Sequence, residues 1–237
     1  MRECGTYTER AVEGALGAWS PCRWVHTAGE GAQVRVVPDG CVDLLWLGDR
    51  LEVAGPDAAP RLVDLAPGAT VAGVRLRPGA ARLLLGPVPA TAVRDAQPHL
   101  DRLWDNAAAL ADRAAAAPDA WAATEILAAA LEERLVRHAP DPVAVAVAAA
   151  LDRPRPPSVT ALARALGYSE RHLRRRVRAA AGYGPKTLEQ ILRFRRAAAA
   201  AGDGRNWTRV AAEAGYADQA HLSRQVRRWS GGPPSAL

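Results

Sequence analysis

Two short stretches of the sequence carry arginines at spacings that suit contact with a polyanion. An arginine guanidinium presents a planar fork of N–H donors that fits guanine O6 and N7 or a phosphate, and a glutamine amide fits adenine. Both stretches are therefore candidate DNA-reading segments. The candidate DNA-contacting residues are Arg171, Arg174, Arg175 and Arg178 in the first stretch, and Gln219, Ser223, Arg224, Arg227 and Arg228 in the second.

The first arginine stretch has the pattern of an amphipathic helix. Leu173 and Val177 are four residues apart, so both face inward and the arginines between them face outward. Ser169 is a favourable N-cap for this helix. A short apolar helix precedes it, and Gly167 stands where a left-handed glycine ends such a helix. A short helix, a tight turn and a basic second helix describe a helix-turn-helix, whose second helix enters the major groove.

The same pattern occurs a second time in the chain. Gly215-Tyr216 repeats Gly167-Tyr168, and Asp218 is the corresponding N-cap. His221-Leu222 repeats His172-Leu173 after one extra residue in the turn. Between the copies, residues 185–201 predict a connecting helix, with Asn206 available to cap the helix that follows it. Internal repetition makes the motif more specific than either copy alone.

With two helix-turn-helix units joined by a long helix, the C-terminal third resembles the AraC/XylS regulators. Equivalent positions in the two units make Arg175 and Arg224 the preferred base-reading residues. Phosphate contact is expected for Arg176 and for Arg178, Arg227 and Arg228, whereas Arg174 suits either role. The resemblance implies a sequence-specific transcription regulator.

Charge is distributed unevenly along the chain. Residues 155–237 contain sixteen Lys and Arg against five Asp and Glu, a net charge of +11. The preceding residues carry fifteen against twenty, a net charge of −5, and the whole chain has a net charge of +6. A basic third beside an acidic remainder is the electrostatic pattern of a nucleic-acid-binding domain.

Several other function classes lack support in the sequence. No run of about 18 apolar residues predicts a membrane span, and the N-terminus has no signal-peptide core, so a cytoplasmic location is expected. The three cysteines form no disulfide framework. No nucleophile elbow, phosphate loop, metalloprotease or dinucleotide-binding motif occurs. We therefore predict no enzyme, no cofactor and no metal site. Two alternatives stay open, an alkyl-transfer, thiol- or metal-responsive regulator that uses Cys22 and Cys41, and a non-specific architectural DNA binder.

The N-terminal part predicts short strands followed by helices. Strand-like runs punctuated by turn residues, such as Pro38-Asp39-Gly40, extend to about Leu76. Residues 37–44, 54–57 and 73–79 also resemble the sensory domain of one AraC subgroup, which implies a small, cupin-like β-barrel. The expected fold class is α+β. The predicted domains are a sensory or dimerisation domain at 1–151 (β-rich 18–77, helical 78–151), a proline linker at 152–157 and a DNA-binding domain at 158–237.

A ligand pocket is predicted inside the β-domain. Trp24 and Trp46 supply aromatic surface, and Arg75 and Asp43 supply charge. Because Val74 and Leu76 face the opposite side of the strand, an inward Arg75 needs an acidic side chain or an anionic ligand. A small anionic or polar effector beside these four residues is the resulting hypothesis, with a plain core as the alternative.

The helices at 80–85, 99–117, 119–138 and 144–151 follow the strands in this prediction. The helix at 119–138 carries Leu131 and Leu135 at helical spacing and suits either pairing of two chains or packing on the β-domain. Double-stranded DNA is the main predicted partner. RNA polymerase and a small-molecule effector are further candidates, and a homodimer is the candidate assembly.

Overall fold

A computed structural model of the chain describes residues 5–30, 33–201 and 206–233. Within these ranges, seven strands form two antiparallel sheets, and the α+β class predicted from the sequence is confirmed. A five-stranded sheet has the order β1-β2-β7-β4-β5, and β3 pairs with β6 in a separate two-stranded sheet. The strands are β1 (Thr6–Ala11), β2 (Cys22–Thr27), β3 (Gln33–Val36), β4 (Val42–Trp46), β5 (Leu51–Ala54), β6 (Arg61–Asp64) and β7 (Thr70–Leu76).

Nine α-helices are described after the strands. Short 3₁₀ turns at Ala15–Ala18, Ala90–Ala92 and Leu100–Arg102 complete the regular structure. The helices are α1 (Arg82–Leu85), α2 (Ala107–Ala115), α3 (Ala120–His138), α4 (Pro142–Leu151), α5 (Val159–Ala165), α6 (Glu170–Ala181), α7 (Pro185–Ala200), α8 (Trp207–Ala214) and α9 (Gln219–Ser230).

One face of the larger sheet packs against α3, and α1 and α2 pack on α3 to complete the same core. Leu44, Val74 and Leu76 project from β4 and β7 into this core and are almost fully buried. Leu127 and Leu131 of α3 meet them there, so α3 packs on the sheet of its own chain. Of the two arrangements predicted for this helix, the intramolecular one is observed, and its buried leucines are not available to pair two chains.

A second core holds the C-terminal helices together. Leu173, Val177, Ile191 and Phe194 are fully buried in it. Val147, Ala148 and Leu151 of α4 lie in the same cluster. Helix α4, which precedes the predicted linker at 152–157, thus shares its core with α5–α9. The division into domains of separate function stays a prediction.

The segment predicted as a linker lies against the C-terminal core. Asp152 accepts hydrogen bonds from Arg195 and Arg196 of α7. The backbone of Pro154 lies close to Gly215, and a Cβ on Gly215 would be only 2.1 Å from the Pro154 carbonyl oxygen. These contacts fix the path of the chain between α4 and α5.

Candidate nucleic-acid interface

The first helix-turn-helix consists of α5, a tight turn and α6. Ser158 caps α5, and Ser169 caps α6 by accepting a hydrogen bond from the backbone N–H of His172 at 3.3 Å. Gly167 has φ +71° in the turn between them, where a glycine carries little steric cost. The turn, the cap and the left-handed glycine are all as the sequence predicts.

Helix α6 turns its basic face outward because Leu173 and Val177 are buried. The four predicted contact residues on this helix are all exposed: Arg171, Arg174, Arg175 and Arg178. Arg174 pairs with Glu170 at 3.2 Å. Within the described ranges, the other three arginines have no carboxylate partner within 4 Å, so their guanidinium groups are free to meet an anion.

The second unit repeats this arrangement with α8 and α9. Asp218 caps α9 through the N–H of His221 at 2.6 Å, and Gly215 has φ +84°. Leu222 and Val226 are buried, which leaves the polar residues on the other face. Gln219, Arg224, Arg227 and Arg228 are exposed, and Ser223 is half-buried.

An aromatic pair occupies the same position in both units. The rings of Tyr168 and His172 are stacked with centroids 5.0 Å apart, and those of Tyr216 and His221 meet edge-on at 5.2 Å. Each pair links the turn to the start of the basic helix. The repeat read from the sequence is thus also a repeat of contacts.

Arg176 is placed differently from the phosphate-contacting role predicted for it. Its Nη2 and Nε donate to the two carboxylate oxygens of Asp141 at 2.7 and 2.8 Å, and Nη1 donates to the Tyr168 hydroxyl at 2.9 Å. Burial opposes ionisation of Asp141, but the hydrogen bonds from Arg176 and from two backbone N–H groups outweigh it and hold the pKa of Asp141 below its usual value. Arg176 therefore joins α6 to α4.

Three of the four predicted pocket residues lie together on the second face of the large sheet. Trp24 Nε1 donates to Asp43 Oδ2 at 3.0 Å, and Arg75 pairs with Asp43 at 3.3 Å. Arg75 also pairs with Glu9 at 3.2 Å and with Asp39 at 3.5 Å. Of the two partners predicted for an inward Arg75, the structure supplies acidic side chains.

Trp46 does not join this group. Successive residues of β4 point to opposite faces of the sheet, so Trp46 shares the face of Leu44 whereas Asp43 points the other way. Trp46 packs against the core beneath α1–α3. The expectation that Trp46 lies beside Arg75 is corrected by this alternation, and the ligand-binding role of the four residues stays a prediction.

Three carboxylates around one guanidinium make the local charge negative. Burial, together with the neighbouring Asp39 and despite Arg75, raises the pKa of Asp43 to about 6. Asp43, and after it Asp39, in turn raise the pKa of Arg75 above its usual value, although burial opposes them. This charge balance favours a cationic or neutral polar ligand over an anionic one.

The cysteines with described positions are both buried. Burial raises the pKa of Cys22 to about 12 and raises that of Cys41 as well. Burial thus disfavours the thiolate, which is the reactive form of cysteine, at both positions. Cys4 lies outside the described residues, and in the rest of the chain no group of three or more His, Cys, Asp or Glu side chains has a metal-binding arrangement.

Sequence reasoning missed two residues beside the basic face of α6. Arg94, from the segment after the 3₁₀ turn at Ala90–Ala92, and Thr187, from the first turn of α7, line a cleft together with arginines of α6. Nothing in the sequence around Arg94 predicts this position. Arg94 lies beside α6 only because two distant segments of the chain pack together.

Two helix-turn-helix units on one core, each presenting a basic second helix, define a DNA-binding protein. Comparison with known families agrees. Residues 162–237 match a family described as a helix-turn-helix domain, and residues 13–99 match a domain of unknown function (DUF6597). The C-terminal third is an AraC-type helix-turn-helix domain, and a DNA-binding transcription regulator is the class of protein that such a domain indicates.

Comparison with solved structures finds chains that are similar to this one at low sequence identity. ToxT from Vibrio cholerae O395 is 10% identical, with a TM-score of 0.50 over 90% of this chain and 95% of that chain. ToxT from strain SCE256 with bound unsaturated fatty acid is 8% identical, with a TM-score of 0.45 over 100% and 95%. The C-terminal domain of AraT, a response regulator from Geobacillus stearothermophilus, is 18% identical, with a TM-score of 0.37 over 40% and 83%. No curated protein matches the sequence.

Among the described helices, none is long and apolar enough to cross a membrane.

Proposed function

We propose that the chain regulates transcription by reading two successive major grooves, one with α6 and one with α9. The observation that carries this proposal is the equivalence of the two units, since Arg175 and Arg224 occupy the same exposed position on helices that are capped at equivalent positions and bury the same Leu and Val pair. Helix α7 connects the units through a fully buried apolar face, which makes their separation rigid. Successive major grooves on one face of DNA are about 34 Å apart.

Selection of bound duplexes from random DNA, followed by footprinting with the full chain, tests this proposal. We expect two conserved blocks whose centres are about 10 base pairs apart, and protection of about two helical turns. A single conserved block would contradict reading by both helices. Protection without any base preference would favour the architectural alternative.

Regulation through the N-terminal region is the second part of the proposal. The carboxylate of Asp39 pairs with Arg75, and the backbone oxygen of Asp39 accepts a hydrogen bond from Arg195 of α7 at 3.3 Å. The adjacent Gly40 lies against α7, since a Cβ on it would be 3.2 Å from Leu188 Cδ1 and 3.7 Å from Leu192 Cδ2. A change in the contacts of Arg75 can therefore reach α7, the helix that connects the two DNA-reading units, through the single residue Asp39.

A small-molecule effector remains part of this proposal, with Trp24, Asp43 and Arg75 as its candidate contacts. An effector shifts the regulator only by its differential affinity for two states. Repeating the DNA selection with candidate metabolites tests for it, and cationic or neutral polar compounds are the first to try. A homodimer and contact with RNA polymerase are further proposals, for which sedimentation and polymerase recruitment on a selected site are the measurements.

A further inference from the structure

The basic face of α6 borders a cleft that the N-terminal region closes on one side. The cleft has a volume of about 470 Å³. Its charged and polar lining consists of Arg174, Arg175 and Arg178 from α6, Thr187 from α7, Tyr183 from the segment between those helices, and Arg94 from the N-terminal region. Arg94 is thus a cationic side chain that reaches the DNA-facing side of the first unit from outside that unit.

The segment that carries Arg94 is held firmly against the end of α6. A Cβ on Gly182 would lie 2.4 Å from Pro56 Cγ and 3.4 Å from the Ala90 carbonyl oxygen, so the two regions are in close contact. Asp95 accepts a hydrogen bond from the N–H of Ala58 at 2.6 Å and has φ +58°, the sole positive φ of a non-glycine residue among the described positions. Such a conformation persists only where the surroundings fix it. The position of Arg94 is therefore defined by the fold.

The charges in the cleft are not balanced by protein groups. Arg94 pairs with Asp95 at 3.5 Å, and Arg174 pairs with Glu170 at 3.2 Å, but both pairs are exposed, and exposed pairs of this kind are weak. Within the part of the chain that the structure describes, Arg175 and Arg178 have no carboxylate partner. Four guanidinium groups on one cleft repel each other until an anion enters.

We infer that Arg94 binds a DNA backbone phosphate beside the major groove read by α6, so that the N-terminal region contributes directly to the DNA interface. This inference rests on the proposed function. Arg178 lies one turn beyond Arg174 and Arg175 on α6, toward the Gly182 end of the helix, which packs against Pro56 and Ala90. The segment that carries Arg94 follows Ala90, so we place Arg94 on the groove-edge side of the base-reading positions. Phosphates line that edge, and an arginine there contributes affinity without reading sequence.

The test compares full-length Arg94→Ala with Arg113→Ala, which removes an exposed arginine from α2 and changes the net charge equally. Affinity for a selected duplex and for a random duplex is measured over a range of salt concentrations. Arg94→Ala is expected to weaken both duplexes by a similar factor, about three- to tenfold, and to lower the salt slope by roughly 1, the value for one phosphate contact. Arg113→Ala is expected to leave both quantities unchanged.

Three outcomes separate the possibilities. If Arg94→Ala behaves as Arg113→Ala while Arg175→Ala and Arg224→Ala still change base preference, the proposed function stands and the Arg94 contact is wrong. If Arg94→Ala tightens binding, the N-terminal region obstructs DNA rather than contacting it, and the inference is likewise wrong. If neither Arg175→Ala nor Arg224→Ala affects DNA binding, the proposed function itself fails. Unchanged thermal unfolding of Arg94→Ala shows that the effect is local.

Discussion

Arg176 and Asp141 form a two-point ion pair that fixes the first basic helix to the start of α4. Two of the three N–H-bearing nitrogens of the guanidinium meet the two carboxylate oxygens, and the third meets the Tyr168 hydroxyl. One arginine of a strongly basic helix is thereby removed from DNA binding and used for structure. Its neighbours Arg175 and Arg178 point to solvent.

The first prediction follows from this division of roles. Arg176→Leu should lower the free energy of unfolding by about 1–2 kcal/mol, since it leaves a partly buried carboxylate without its charged donors. It should leave the salt slope of DNA binding unchanged, because Arg176 does not face the DNA. Arg178→Ala is the matched variant. It should leave the free energy of unfolding unchanged and lower the salt slope of DNA binding. Chemical denaturation and salt-dependent affinity measurements check both, and a reduced salt slope for Arg176→Leu would contradict the assignment.

The second prediction uses the two equivalent turn glycines. Gly167→Ala and Gly215→Ala both place a Cβ on a residue with positive φ, which costs about 1 kcal/mol in each case. The Cβ of Gly167 meets open space, whereas that of Gly215 meets the Pro154 carbonyl oxygen at 2.1 Å. Gly215→Ala should therefore be more destabilising by about 1–3 kcal/mol, the typical cost of overpacking. Equal unfolding free energies for the two variants would mean that residues 152–157 do not pack firmly on the second unit.

The C-terminal fold was predictable because its signals are local. Caps such as Ser169 and Asp218, the turn glycines and the four-residue spacing of the buried pairs each act within one helix or turn. The N-terminal region was less predictable. β1 and β6 were missed, because β1 is exposed along its whole length and β6 is a four-residue strand between prolines. The helix predicted at 99–117 is instead a 3₁₀ turn followed by α2, and the one at 80–85 is a single helical turn, α1.

The candidate sites show the same contrast. The outward arginines follow from helical period alone, so their exposure could be derived. The partner of Arg176 lies 35 positions earlier, and the position of Arg94 beside α6 depends on packing between distant segments. Strand alternation predicts that Arg75 and Val74 face opposite ways, as observed, and it also separates Trp46 from Asp43, which are three residues apart on β4.

The third prediction separates base reading from phosphate binding. Arg175→Ala and Arg224→Ala should each cost about 1–3 kcal/mol on the selected duplex and relax base preference at one position. Arg228 lies over the ring of Trp229 with its guanidinium carbon 4.6 Å from the ring centroid, at the end of α9. Arg228→Ala should weaken all duplexes equally and lower the salt slope by roughly 1. The assignment is wrong if Arg228→Ala alters base preference and Arg224→Ala does not.

The last prediction concerns the acidic cluster on the sheet. The pKa of Asp43 is raised from 3.8 to about 6 by burial and by Asp39, so the folded chain holds a proton on this carboxyl at a pH where the unfolded chain has lost it. The folded state then binds more protons than the unfolded state, and the contribution of Asp43 to stability falls as pH rises from about 4 to about 6. The contribution of Asp141 to stability depends on pH in the opposite sense, because the pKa of Asp141 is lowered in the folded chain. This contribution is complete above pH 3.8, the pKa of the unfolded chain, and is lost as the pH falls below it.

Unfolding free energies of the native chain and of Asp43→Asn, measured between pH 4 and 7, check this prediction. Asparagine keeps an oxygen acceptor for Trp24 Nε1 but cannot titrate. The native chain should lose about 1–3 kcal/mol relative to Asp43→Asn across this range, in line with a net shift of about two pKa units at about 1.4 kcal/mol for each unit. Asp141→Asn is the control, since asparagine still caps α4 and its difference from the native chain should be constant above pH 5. A difference between the native chain and Asp43→Asn that stays constant over the whole range would show that Asp43 is ionised throughout, and that Arg75 outweighs its burial.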